Sequence, residues 1–225
     1  LGQTRQLGNG QIMSNYLKLP VINDFRTNDI VHGGQGAPLA PIYHLALSKF
    51  IEEKNLVFLN IGGVSNITYI GEHDDIISLD CGPGNAPIDD FVRYHNKGSM
   101  DQDGKFAKLG RVNYDLVNEF MNNNFFSIPY PKSLDRDTFN FDNIYKLSLE
   151  DGCATMAKIV SLGISKALQL LPKQPSKILA SGGGRKNLTI MNEVALETMI
   201  ECKNIGDYGL RGDAIEAEAF AFLAI

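Results

Sequence analysis

A chain of 225 residues with 44% hydrophobic and 21% charged side chains has room for one large or two modest globular domains. Its net charge of −5 excludes a general nucleic-acid footprint, and no apolar run is long enough to span a bilayer as a helix. Three scattered cysteines, Cys81, Cys153 and Cys202, show neither metal spacing nor a disulfide framework. That pattern fits a reducing compartment, and with no signal peptide in view the cytoplasm is the expected location.

The first twenty residues, opening Leu1-Gly2-Gln3-Thr4, are polar and without periodicity. Residues 20–26 read as a short strand ending in charges. The loop His32-Gly33-Gly34-Gln35-Gly36-Ala37-Pro38 follows, and its bare backbone at a helix start suits an anionic or hydroxyl-rich ligand, or is a plain loop-to-helix transition. Residues 42–50 predict a helix with Ile42, Leu45, Ala46 and Lys49 along one side.

The densest signal lies at residues 57–85. Val57-Phe58-Leu59, a Gly62-Gly63 turn, Ile67-Thr68-Tyr69-Ile70, a polar turn at 71–75 and Ile76-Ile77-Ser78-Leu79 predict a three-stranded antiparallel meander. Turn amides without Cβ atoms can approach an anion, and the third strand delivers Asp80 to the loop Cys81-Gly82-Pro83-Gly84-Asn85. A phosphate cradle beside a lone carboxylate suits phosphoryl transfer, where catalysis is mostly positioning and charge stabilisation. Read singly, each motif is more often only a structural turn.

Residues 86–94 predict a helix on Ile88, Phe91 and Val92 with His95 at its end. Ser99-Met100-Asp101-Gln102-Asp103-Gly104 opens like a calcium loop, but Val112 stands where the closing Glu belongs, so no metal site is assigned. Residues 114–126 predict a helix, and residues 128–133 a proline-stiffened loop. The clearest helix covers residues 151–170, with Cys153, Met156, Ala157, Val160, Ile164, Ala167, Leu168 and Leu171 as a core stripe. A strand at 177–180 then closes on Gly182-Gly183-Gly184 before a helix at 188–199. That geometry lets a nucleotide lie on bare backbone, although neither a P-loop nor a Rossmann fingerprint is present. A final helix covers residues 213–225, with Glu216 and Glu218 in it and Ala219, Phe220 and Leu223 packing.

Taken in order, these motifs resemble the anhydro-N-acetylmuramic acid kinases of the actin, hexokinase and sugar-kinase superfamily. The resemblance rests on Asp24-Phe25-Arg26, Gly33-Gly34-Gln35-Gly36-Ala37-Pro38-Leu39, Asn60-Ile61-Gly62-Gly63-Val64-Ser65-Asn66, Asp80-Cys81-Gly82-Pro83-Gly84-Asn85, Pro131-Lys132-Ser133, Gly182-Gly183-Gly184 and Glu216 with Ala219-Phe220-Ala221. It implies an α/β, ribonuclease-H-like fold of the actin/hexokinase type, with residues 1–52 the remnant of a first domain and 53–225 a largely complete second one.

The resemblance further implies ATP and magnesium as cofactors and 1,6-anhydro-N-acetylmuramic acid as substrate, with N-acetylmuramic acid 6-phosphate as product in cell-wall recycling. By matching position it makes Asp80 the general base. It assigns Asn60, Gly62, Gly63, Gly82, Gly182, Gly183 and Gly184 to ATP, and Arg26, Gly34, Gln35, Gly36 and Glu216 to the sugar. Homodimers are common in the family. The family's Gly-Thr-Ser-x-Asp-Gly loop has no counterpart here, and Leu134-Asp135-Arg136-Asp137 replaces its usual Thr-Gly-Arg-Glu. The expectation is therefore an N-terminally truncated member with little activity alone. The alternative is an inactive remnant serving as a binding or assembly module. A filament or chaperone-type ATPase would leave the Asp80 loop and the Gly33 to Pro38 loop unexplained.

Overall fold

The structure, a computed structural model, describes residues 7–34, 36–134 and 138–225. The expected meander forms β1 (Leu56–Ile61), β2 (Val64–Ile70) and β3 (Ile76–Pro83). Two strands extend it, β4 (Lys177–Ser181) and β5 (Glu201–Asn204), giving the order β3-β2-β1-β4-β5. The meander pairs are antiparallel, whereas β1–β4 and β4–β5 are parallel. Strand β5 had no sequence signal: Glu201-Cys202-Lys203-Asn204 has neither alternation nor a β-branched run, and it is held by pairing to β4.

Successive residues of a strand face opposite sides, and here both sides are buried. Val57, Leu59, Ile61, Ile67, Tyr69, Leu79, Cys81, Ile178 and Ala180 face one core. Leu56, Phe58, Ile70 and Leu179 face the other. The first core is roofed by α4 (Ala86–Tyr94), α5 (Lys105–Leu109), α6 (Tyr114–Met121), α7 (Leu149–Gln169) and α8 (Leu188–Thr198). The whole stripe expected on α7 is buried. Ser148 caps this helix by accepting from the Asp151 amide, and Glu150, Asp151 and Lys166 suit its dipole. Gly163 brings α7 against β3, since a Cβ there would lie 2.9 Å from the Cys81 carbonyl oxygen.

The second core is covered by α3 (Pro41–Phe50) and α9 (Ile215–Leu223). The stripe expected on α3 is corrected. His44, Leu47 and Ser48 are the buried residues, while Ile42 and Lys49 are exposed. An apolar count misses the true face because His44 earns its burial by stacking on Phe58 and hydrogen-bonding to Thr68. Residues 20–26 are not a strand: irregular chain leads into α2 (Thr27–Val31), preceded by α1 (Gly10–Leu17). The calcium-like opening has a structural explanation. Asp101 is buried and accepts from the Phe106 and Ala107 amides at 2.8 and 3.1 Å, capping α5. Among the described residues no helix is long and apolar enough to cross a membrane.

Candidate active site

The parity that fills the second core also builds the site. Asn60 on β1, Asn66 on β2, Asp80 on β3 and Ser181 at the end of β4 continue the face of Phe58, Thr68 and Leu179. They meet where β1, β3 and β4 run out, the end at which open α/β sheets bind ligands. There they line a cavity of about 350 Å³, closed by Pro38, Arg26, Gly182, Gly183 and the Ile215, Glu216 and Phe220 side of α9. That volume suits a small-molecule ligand.

A β-bulge aims Asp80. Asn66 pairs with Asp80 and Ser65 with Gly82, so Cys81 is the extra residue. The Ser65 hydroxyl donates to the Pro83 carbonyl at 3.0 Å and pins the distortion. The segment after Pro131 then lies along β3. The Asp80 amide donates to the Lys132 carbonyl at 3.1 Å, and the Leu134 amide donates to Asp80 Oδ2 at 2.6 Å. Burial pushes the Asp80 pKa above the ordinary carboxylate value, while the Leu134 amide and the Lys132 charge pull it back. Lys132 is itself buried; its Nζ donates to the Phe125 carbonyl at 3.1 Å and sits 4.4 Å from the centre of the Phe125 ring. Burial lowers its pKa against the opposing pull of Cys81 and Asp80.

The glycines assigned to nucleotide occupy distinct places. Gly182, at φ 77° and ψ 173°, lies against β1: a Cβ would stand 2.4 Å from Asn60 Oδ1. Gly183 is open, and both line the cavity. Gly184 is buried on Ile61, and Gly82 is buried beside Phe126, so neither faces the cavity. Gly62 and Gly63 form the β1–β2 turn, whose carbonyls accept from Asn85 at 2.7 Å and Gly84 at 3.1 Å, docking the turn on the start of α4. They too lie outside the cavity lining.

A buried arginine braces the Gly182 turn. Arg185 Nη1 donates to the Gly182 carbonyl at 2.6 Å and to Asp213 Oδ1 at 2.7 Å. Lys186 binds the other Asp213 oxygen at 2.9 Å, and the two cations hold the Asp213 carboxyl well below its ordinary range.

On the sugar-assigned side, Arg26 lines the cavity and donates to the Gly36 carbonyl. Gly34 and Gly36 do not reach the cavity. Their amides donate to Asp29, at its carbonyl (2.8 Å) and Oδ2 (2.7 Å), so Asp29 organises this loop. Gln35 lies outside the described residues. Glu216 is exposed on α9 at the cavity. The same helix is tied to α3 by Tyr43, which donates to Glu218 at 2.8 Å; burial and that carboxylate push the Tyr43 pKa to about 12.

Sequence reasoning did not single out Asn66, Ser181, Asp213 or His44 as site residues. Strand parity would have found Asn66, two residues from Thr68 on the same face. Nothing local flags His44. Among the described residues no three His, Cys, Asp or Glu side chains are grouped to hold a metal ion.

A bulged meander ending on a carboxylate, extended in parallel by a strand that runs into a glycine turn, defines an α/β protein of the actin/hexokinase type. A xylulose kinase from Rhodospirillum rubrum shares the fold, with a TM-score of 0.51 at 12% identity over 82% of this chain and 40% of that one. The anhydro-N-acetylmuramic acid kinase family model matches residues 1–225, and the chain belongs to that family. It is 45% identical to an anhydro-N-acetylmuramic acid kinase of Brucella anthropi and 43% identical to one of Zymomonas mobilis, each match covering 100% of this chain. The chain spans 61% and 62% of the length of those two relatives.

Proposed function

We propose that this chain carries the nucleotide- and sugar-binding cleft of a kinase that converts 1,6-anhydro-N-acetylmuramic acid, ATP and water to N-acetylmuramic acid 6-phosphate and ADP. One observation carries the reading: Asp80 sits half-buried at the cavity with Oδ2 held by the Leu134 amide, which leaves Oδ1 to take a proton. Burial makes this carboxylate a stronger base than a solvated one. Asp80 draws a proton from water as the water oxygen bonds to the anomeric carbon. The anhydro C–O bond breaks, and its electrons stay on the 6-oxygen, which bonds to the γ-phosphorus as ADP leaves.

Asn60, Gly182 and Gly183 offer the nucleotide a flat approach, with Gly184 and Gly82 setting the backbone behind them and the Gly62-Gly63 turn assigned to phosphate. Arg26 and Glu216 take the sugar, Arg26 being set by the Gly34 and Gly36 loop that Asp29 holds; Gln35 joins them by resemblance alone. Magnesium in such sites keeps water and phosphate ligands and needs few carboxylates, so Glu216, exposed at the cavity, fits a partly hydrated ion that would neutralise phosphate charge. Asp213 does not, being taken by Arg185 and Lys186.

The test is a coupled ADP-release assay with ATP, magnesium and the anhydro sugar, run beside calorimetric titration of each ligand. Binding of both ligands is expected, and the turnover of this chain alone, expected to be small, disappears in Asp80→Asn while binding remains. Failure of the chain to bind either ligand overturns the reading.

A further inference from the structure

We infer that Asn66 is a second catalytic residue of this cavity: its side-chain carbonyl accepts one hydrogen of the water that Asp80 deprotonates, and so aims that water's free lone pair at the anomeric carbon. This rests on the function proposed above.

One rung of the sheet crosses the floor of the cavity. Asp80 on β3 pairs with Asn66 on β2, Asn66 with Asn60 on β1, and Asn60 with Ser181 on β4. All four line the cavity, so a carboxylate, two amides and a hydroxyl stand in a row. Three strand spacings carry that row roughly 14 Å from the general base to the strand end that opens into the Gly182 turn. The reacting end of the sugar belongs over Asp80 and the nucleotide over Ser181 and Gly182. Asn66 is the residue beside the base.

Asn66 is matched to Asp80 without being bonded to it. Asn and Asp side chains are equal in length, and directly opposed residues of an antiparallel pair have Cβ atoms about 5 Å apart. Two hydrogen bonds of ordinary length meeting at one water cover that span. Asp80 Oδ2 is taken by the Leu134 amide. Asn66 is half-buried at the cavity, and among the described residues its amide has no hydrogen-bond partner. The next same-face rung is the opposite case: Thr68 is engaged by His44 at 2.9 Å, and Ser78 donates to the Ile67 carbonyl at 2.9 Å. Only the rung at Asp80 keeps its polar ends for a third body. A water that gives one proton to Asp80 Oδ1 has a second hydrogen to place. An acceptor for it fixes the direction of the attacking lone pair, and a neutral carbonyl does so without the like charge that would oppose ionisation of Asp80. The first proton goes to Asp80 as the water oxygen bonds to the anomeric carbon. The second stays on that oxygen as the hydrogen of the new hydroxyl, and the anhydro oxygen keeps its bond electrons and takes the γ-phosphoryl group.

The test pairs two variants. Asn66→Leu keeps the branching of the side chain and removes the acceptor. Single-turnover ADP release, with the chain in excess over ATP and with magnesium and 1,6-anhydro-N-acetylmuramic acid present, is expected to slow about 10²-fold, the usual cost of a misplaced reactant. Calorimetric affinities for the sugar and for adenylyl-imidodiphosphate should stay within about threefold, which also shows that the variant is folded. Asn66→Asp tests the placement without any turnover. In carbon-13 spectra of labelled aspartate carboxyls, with the Asp80 signal assigned by its loss in Asp80→Asn, a second carboxylate level with Asp80 is expected to move the Asp80 titration to higher pH. Unchanged turnover in Asn66→Leu, loss of either ligand's affinity with it, or an unmoved Asp80 titration in Asn66→Asp overturns the inference alone. An unsubstituted chain that binds neither ligand overturns the functional reading, and this inference with it.

Discussion

Replacing Gly182 by alanine is the sharpest test of how the cavity is held open. The residue sits at φ 77° and ψ 173°, a region only glycine occupies comfortably. Forcing alanine into it costs about 1–3 kcal/mol. The new Cβ would also lie 2.4 Å from Asn60 Oδ1 and 2.7 Å from the Ile61 carbonyl oxygen. Asn60 can swing aside, but Ile61 is the last residue of a central strand paired on both sides, so its backbone cannot yield cheaply. Overpacking of that kind adds about 1–3 kcal/mol, and about 4 kcal/mol in total is expected. For a domain of this size that lowers Tm by about 8–16 °C. The neighbouring Gly183→Ala is the internal control: a Cβ there meets nothing within 4 Å, and a change within about 1 kcal/mol is expected. Urea unfolding followed by circular dichroism gives both values. If the two variants unfold at the same urea concentration, the close approach of the turn to β1 is not real and the reasoning fails.

Three further outcomes follow from the site. Asp80→Asn is expected to lower turnover by about 10²–10⁴-fold, the usual worth of a general base, with nucleotide affinity retained in titration. Leu134→Pro removes the amide that stabilises the Asp80 carboxylate. The Asp80 pKa then rises further and the acid limb of the pH–rate profile moves to higher pH; an unmoved limb would separate Leu134 from catalysis. His44 supplies the third. Its folded pKa of about 4 lies below the ordinary 6.5, so between those values the unfolded chain binds a proton that the folded one does not. Stability is therefore full above pH 6.5 and falls as pH drops toward 4. The loss is about 3 kcal/mol, and the slope should vanish from urea titrations of His44→Asn.

Much of the molecule was legible locally. Alternation wrote the meander, 3.6-residue spacing wrote α7, and glycines beside strand ends marked Gly182 and Gly183, because each of these signals is a relation between near neighbours in the chain. The site was legible in part. Asp80 stood out as a carboxylate at a strand end. The glycines at 62, 63, 82 and 184 stood out equally, yet the structure places them in a turn docked on α4, against Phe126 and against Ile61. A glycine that lines a cavity and one that packs on a neighbouring element look alike in sequence.

What the tertiary structure alone decided were relations between residues far apart. Strand β5 exists because β4 pairs with it, and the buried face of α3 was missed because a histidine stacked on Phe58 counts as polar in any periodicity. Arg185 reaches Asp213 across 28 residues, and Leu134 reaches Asp80 across 54. The sequence by itself determined where the meander and the long helix α7 run and where a carboxylate emerges, since backbone geometry and side-chain period act over a few residues. The fold decided which oxygen of Asp80 is engaged, which ring His44 stacks on and which glycines face the cavity, because burial and hydrogen-bond partners depend on what packs from the other side.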